Sequence, residues 1–187
     1  MNLNKYQWGA IIVAILSPAV FVVAKGSTLP PARQHPQVPQ SVNHNLKAFL
    51  LMIQYAEGTI GINAYKTLYG GSLFHDLSRH PNKAITKGGL TSTAAGAYQI
   101  LNRTWIDVQR TLKLPDFSRL SQDRAAIELI RRRGALEDVL SGRFATAVYK
   151  VRKEWASLPG AGYGQGERSY ELLEKVYQSA GGYLMAA

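Results

Sequence analysis

The sequence predicts an α+β architecture, a mainly helical domain with one small antiparallel β-sheet, preceded by an N-terminal membrane segment. Three observations carry this. Apolar residues recur at helical spacing in separate stretches between Leu46 and Ala180, while only Tyr65 to Leu77 is β-prone around a glycine pair. The run from Trp8 to Ala24 carries no charge and is followed by proline-rich chain.

The elements follow in order. Residues 1–25 read as a signal-anchor or secretory segment. The uncharged helix 8–24, flanked by Lys5 and Lys25, would reach roughly 25 Å, slightly less than the ~30 Å of a hydrocarbon core, and Pro18 would kink it. A weak anchor in the inner membrane is one reading. The other is a cleaved export signal, with Val22-Val23-Ala24 before the cut. Lysines on both sides leave the positive-inside rule undecided. Residues 26–44 hold Pro30, Pro31, Pro36 and Pro39 and no apolar period, so they read as an extended linker. The domain therefore spans residues 45–187.

Within it, Leu46, Phe49, Leu50 and Ile53 place a helix from an Asn45 cap to Glu57, with Gly58 as terminator. Tyr65 to Leu77, split by Gly70-Gly71, predicts the hairpin. Arg79 to Gly89 reads as loop. Thr104, with Asp107 three residues on, opens a helix as a capping-box variant. Ser121 opens another that Gly134 closes. Phe144, Val148, Val151 and Trp155 define one further face, and Tyr170, Leu173, Val176, Tyr177 and Ala180 the last, stopped by Gly181-Gly182.

Composition narrows the chemistry. The 187 residues are 46% hydrophobic and 18% charged, enough to bury a core. Absence of cysteine excludes disulfides, thiolate zinc sites and thiol nucleophiles. His35, His44, His75 and His80 form no i, i+4 ligand pair, so neither metal nor other cofactor is expected. The net charge of +10 points to an anionic partner: nucleic acid, anionic lipid or the acidic peptides of a bacterial wall. An export segment argues against nucleic acid.

Acids are scarce where a catalytic one must lie. The first in the chain is Glu57, and only Asp76 follows before Asp107. Helical spacing puts Glu57 on the same side as Leu50 and Ile53, in the last turn, where the helix presents partial negative charge. Burial and the helix end both penalise its ionised form, which is the profile of a general acid. The alternative from pattern alone is a helix-end glutamate that swings into water or pairs with an arginine. Thr91 to Leu101 joins Ala94, Ala95, Gly96 and Ala97 to Tyr98 and Gln99: small residues that admit a ligand, with a ring and an amide to bind sugar, or simply a tightly packed helix start. Leu158 to Gln165, with three glycines around Tyr163, is a lip over substrate or an ordinary turn. Arg131-Arg132-Arg133 decorates a helix C-terminus.

Several motifs together resemble one family. They are Ala56-Glu57-Gly58-Thr59, Gly70-Gly71 with Asp76, His80-Pro81, Ser92 to Gln99, Ser121-Gln122-Asp123, Arg133 to Leu136, and the long run Trp155 to Gln165. In this order, from Leu46 to Gly182, they resemble the lambda-type phage endolysins, lytic transglycosylases of the lysozyme superfamily. The shorter stretch between Thr59 and Gly70, and Ala97 in place of a basic residue, depart from that family.

The resemblance implies a lysozyme-like domain that cuts the MurNAc to GlcNAc β-1,4 bond of peptidoglycan without water, forming a 1,6-anhydro ring. It assigns catalysis to Glu57, a substrate-facing loop to His80–Leu90 and a lip to Pro159–Gln165. Tyr98, Gln99 and Tyr163 would line the cleft, with Ser92, Thr93, Gln165 and Asp76 as further sugar contacts. The N-terminal segment resembles signal-arrest-release anchors, which the host Sec machinery exports. The implied enzyme is a monomer, tethered to the inner membrane facing the periplasm and later released, or secreted if the segment is cleaved. Most glycosidases use two carboxylates. Here Lys66 stands where a T4-type lysozyme places its second acid, and Asp76 is the remaining candidate, catalytic or structural. A hydrolytic muramidase and a tethered, non-catalytic wall-binding module are the competing functions.

Overall fold

The apolar stripe from Leu46 to Ile53 lies on a helix longer than its pattern predicts. In the computed structural model, which describes residues 40–164 and 166–185, helix α1 runs Gln40–Ala56. It starts inside the stretch read as linker, because Pro39 is its last proline and nothing in Gln40–His44 breaks a helix. Asn45 is consequently not a cap. It lies buried within α1, where its Nδ2 donates to the Leu140 carbonyl at 3.2 Å and its Oδ1 accepts from the Tyr183 N–H at 2.7 Å. The predicted membrane segment lies outside the described residues; among the described ones no helix is long and apolar enough to cross a membrane.

The two-stranded sheet is real but displaced. Strands β1 (Ile85–Lys87) and β2 (Leu90–Ser92) pair antiparallel with Thr86 opposite Thr91, the first inside the stretch read as loop and the second directly after it. Gly88 and Gly89 turn the chain at φ 59° and 78°, the left-handed pair that a two-residue hairpin demands. Around Gly70-Gly71 there is only a tight turn, closed by the Leu68 N–H to Ser72 carbonyl bond of 2.7 Å and a single Thr67 to Leu73 bridge. Short 3-10 turns at Ala64–Lys66 and Tyr69–Gly71 take up the rest of that segment. Both glycine pairs turn the chain, but only the second is flanked by a ladder, across which the Thr86 and Thr91 hydroxyls lie 2.8 Å apart.

The remaining helices follow the predicted faces with shifted ends. Helix α2 is Asn102–Leu112, starting before Thr104, and Asp107 caps nothing; it pairs instead with Arg132. Helix α3 is Arg119–Arg132, capped by the Ser118 hydroxyl rather than by Ser121. A short α4 (Leu136–Ser141), unmarked by any apolar stripe, precedes α5 (Phe144–Val151), and α6 is Tyr170–Ser179. Helix α1 packs against α4 and α6. Its Phe49 meets the rings of Phe144 of α5 and Tyr177 of α6 edge-on at 6.1 and 6.4 Å, in a core with Met52, Ile53, Val148 and Leu173. Elsewhere in the same core, the rings of Trp105, Phe117 and His80 pack together and seat the segment that leads into the sheet.

Candidate active site

Glu57 stands at the point where α1 stops. Its N–H still donates to the Ile53 carbonyl at 2.9 Å, and Gly58 then turns into the left-handed region at φ 69°. Thr59 locks the exit: its N–H reaches the Gln54 carbonyl at 2.9 Å and its hydroxyl donates to the Ala97 carbonyl at 2.6 Å. The carboxylate thus projects from a fixed stub into the mouth of two adjoining hollows of about 420 and 530 Å³, which share Glu57, Tyr69, Gln99 and Ala156 in their walls. Together they form one cleft with Glu57 at its middle.

The opposite wall comes from the chain after α5. The Trp155 indole N–H donates to the Tyr98 carbonyl at 3.0 Å, which holds Ser157 where its hydroxyl donates to Glu57 Oε1 at 2.6 Å. Burial raises the pKa of Glu57 above its ordinary value; the Ser157 bonds and the charge of Arg168 oppose that and do not overcome it. The other acid of the cleft, Glu154, is tied to Arg133 at 2.6 Å. Among the described residues Glu57 is therefore the cleft carboxylate that no cation binds directly.

The predicted contacts divide. Gln99 lines both hollows, with its side-chain amide held by the Thr67 and Gly96 carbonyls at 3.1 and 3.0 Å. Tyr163 and Ser92 line the second, and the Tyr163 hydroxyl donates to the Lys153 carbonyl at 3.0 Å. Tyr98 does not reach the cleft. It is 1% exposed, and its hydroxyl donates to Asp123 at 2.6 Å beneath the floor, so it braces the site without offering a face to sugar. Thr93 accepts from the Asn102 N–H at 3.2 Å and lines neither hollow. Asp76 lies at the surface away from the cleft, where it accepts the Ser78 N–H at 2.8 Å; that bond lowers its pKa and gives it a turn-forming role. Gln165 lies outside the described residues.

Sequence reasoning missed Ser157, Tyr69, Arg103 and the Arg133–Glu154 pair, all in the cleft walls, while Lys87, also there, falls inside the loop His80–Leu90 that the resemblance assigns to substrate. Ser157 had a signal, since it falls inside the Trp155 to Gln165 run. Arg133 departs from its neighbours in the arginine run: Arg131 and Arg132 both bind Glu128, at 2.7 and 2.9 Å, whereas Arg133 reaches Glu154 in the cleft wall.

The chain is similar to several known proteins. Residues 47–184 match the protein family described as endolysin. The endolysin of Escherichia phage P2 is 44% identical over 158 residues, covering 76% of this chain and 96% of that protein. The endolysin of Escherichia phage lambda is 42% identical over 148 residues, covering 75% and 94%. Among solved structures, the bacteriophage lambda lysozyme complexed with a chitohexasaccharide superposes with a TM-score of 0.74 at 42% identity, covering 76% of this chain and 97% of that one. A second structure, lysozyme from bacteriophage lambda, gives 0.70 at 41% with the same coverage. A family match across the helical domain, joined to relatives spanned almost from end to end, means that this chain belongs to the endolysin family.

Proposed function

We propose that the domain degrades peptidoglycan for host-cell lysis by lytic transglycosylation, cleaving the MurNAc to GlcNAc β-1,4 bond with Glu57 as its single acid and base. The observation that carries this is a raised-pKa carboxyl at the centre of a cleft whose other acid is held by an arginine. The lambda lysozyme bound to a chitohexasaccharide supports an extended aminosugar chain as ligand for such a cleft.

In the first half of the reaction Glu57, protonated, gives its proton to the glycosidic oxygen, and the bond from that oxygen to C1 of MurNAc breaks. In the second, the ionised Glu57 takes the proton of the C6 hydroxyl of the same MurNAc as O6 bonds to C1. The 1,6-anhydro ring closes and Glu57 is protonated again. No water is consumed. Ser157 favours the ionised form by donating to it, while burial favours the protonated form, and the second effect prevails. The same side chain can thus serve as acid in the first half and base in the second.

Glu57→Gln is expected to abolish release of soluble muropeptides, by at least about a thousandfold, with an unchanged circular dichroism spectrum, since the amide keeps the shape and loses the proton. Mass spectrometry of wild-type products separates the chemistries. Anhydro-muropeptides support transglycosylation, whereas reducing ends would mean hydrolysis with a second group such as Glu154. Sedimentation with walls and no soluble product would mean a binding module.

For the N-terminal part the proposal is an anchor: residues 8–24 hold the enzyme on the periplasmic face of the inner membrane after Sec export and are later released. Its support is the uncharged run between Lys5 and Lys25 and the proline-rich stretch after it. A cell-derived chain beginning near Lys25 would replace the anchor with a cleaved signal.

A further inference from the structure

The cleft carries more positive charge than a neutral sugar chain calls for. Lys87 lines one end and Arg103, Arg133 and Lys153 the other, against Glu57 and Glu154 alone. Three of these cations are engaged inside the protein. Lys87 donates to the Gly70 carbonyl at 3.2 Å, Arg133 holds Glu154, and Lys153 donates to the Ala161 carbonyl at 2.5 Å. Arg103, exposed in the first turn of α2, makes no hydrogen bond or ion pair among the described residues, and that turn contains no acid. A guanidinium offers five donors in a planar fork matched to a carboxylate. On the wall of a ligand cleft such a fork is available to the ligand.

The β-1,4 backbone of peptidoglycan presents hydroxyls and N-acetyl groups, none of them charged. The lactyl carboxyl of MurNAc is consumed in the amide bond to its peptide, so the free carboxylates of the intact wall belong to the peptide stems. We infer that Arg103 binds a stem-peptide carboxylate of the strand lying in the cleft, so that the domain reads the peptide decoration as well as the sugar. This rests on the wall-degrading function proposed above and adds the part of the substrate that the sugar chemistry leaves out. It also gives the net charge of +10 a local use, since Lys153 and Lys87 add an attractive field for the same anion. The contact is remote from the bond that breaks and is made equally in ground and transition states, so it acts on KM rather than on kcat.

The test uses the full chain on purified Gram-negative sacculi, either untreated or with stem carboxylates converted to carboxamides by carbodiimide and ammonia. Amidation keeps the shape of the stem and removes its charge. Wild type is expected to show kcat/KM about fivefold higher on untreated walls, the size of one partly exposed ion pair. In Arg103→Gln that ratio falls by at least half, the remainder being the field of Lys87 and Lys153. Because each protein is compared with itself on two substrates, partial loss of folded enzyme cancels. Equal rates of wild type on both walls, or an Arg103→Gln variant that keeps the wild-type ratio, overturn the inference. Failure of the catalytic reading looks different: no anhydro product from wild type on either wall.

Discussion

Two adjacent residues, Tyr98 and Gln99, show how finely the site is decided. Both were read as sugar contacts, yet one is buried beneath the floor and the other stands in the cleft, its backbone in the left-handed region at φ 45°. A turn of this kind sends neighbouring side chains opposite ways, and nothing in residue type announces which goes where. Glu57 was legible because a charge on an apolar stripe is anomalous; its partner Ser157, a hundred residues away in the chain, was not. That partner sets a measurable property. The hydroxyl favours ionised Glu57, so Ser157→Ala should raise the Glu57 pKa further. The alkaline limb of the kcat/KM profile, where the acid loses its proton, is then expected to move to higher pH with kcat reduced severalfold. An alkaline limb that stays put in the variant would assign it to another group.

At the scale of elements, helical faces were readable because a period of 3.6 repeats over several turns, whereas a three-residue strand offers too little pattern to choose between two glycine pairs. What holds the elements around the cleft is polar and non-local. Gly96, at φ 79°, lets the chain turn against α3. There the Gln122 amide accepts the Ala97 N–H at 2.9 Å and donates to the Tyr65 and Phe117 carbonyls at 3.0 and 2.8 Å. A Cβ on Gly96 would lie 2.1 Å from Gln122 Oε1 and 3.1 Å from the Phe117 ring. Gly96→Ala therefore combines a strained φ with displacement of a fully bonded buried amide. We expect a loss of about 3 kcal/mol or more, read from the urea midpoint at unchanged slope. An equivalent change at Gly88, where a Cβ meets nothing within 4 Å, should cost only the strain of its φ.

Across the whole molecule, buried titratable groups couple stability to pH in opposing senses. His80 is buried between Trp105 and Phe117. Its Nδ1 accepts the Asn82 N–H at 3.1 Å, which leaves Nε2–H to donate to the Ile100 carbonyl at 2.9 Å, so the imidazole is neutral. Burial lowers its pKa below 6.5, against the pull of that carbonyl. The unfolded chain then binds the proton more tightly, and the contribution of His80 to stability is complete above about pH 6.5 and declines as pH falls towards the folded-state value. Glu57 and Asp123, whose pKa values burial raises, act in the other direction: protonation favours the folded state as pH falls. The His80 part is isolated by subtracting His80→Gln, which keeps a donor for Ile100. The stability difference between wild type and variant should shrink by up to about 1.4 kcal/mol per pH unit below pH 6.5. A difference independent of pH between 7 and 5 would show that the imidazole titrates alike in both states.

By itself the amino-acid sequence determined the helical α+β class, the faces of α1, α5 and α6, the glutamate where α1 ends and the glycine that ends it. Each of these depends on neighbours within a few residues, and local periodicity and backbone sterics suffice to reveal them. Tertiary structure alone decided that Ser157 meets Glu57, that Tyr98 and Asp76 stay out of the cleft, that Arg133 holds Glu154, and that Arg103 has no partner among the described residues. Those outcomes join segments far apart in the chain. Whether a side chain faces ligand, core or solvent is settled by the sum of packing and desolvation where the segments meet, a quantity no window of sequence contains.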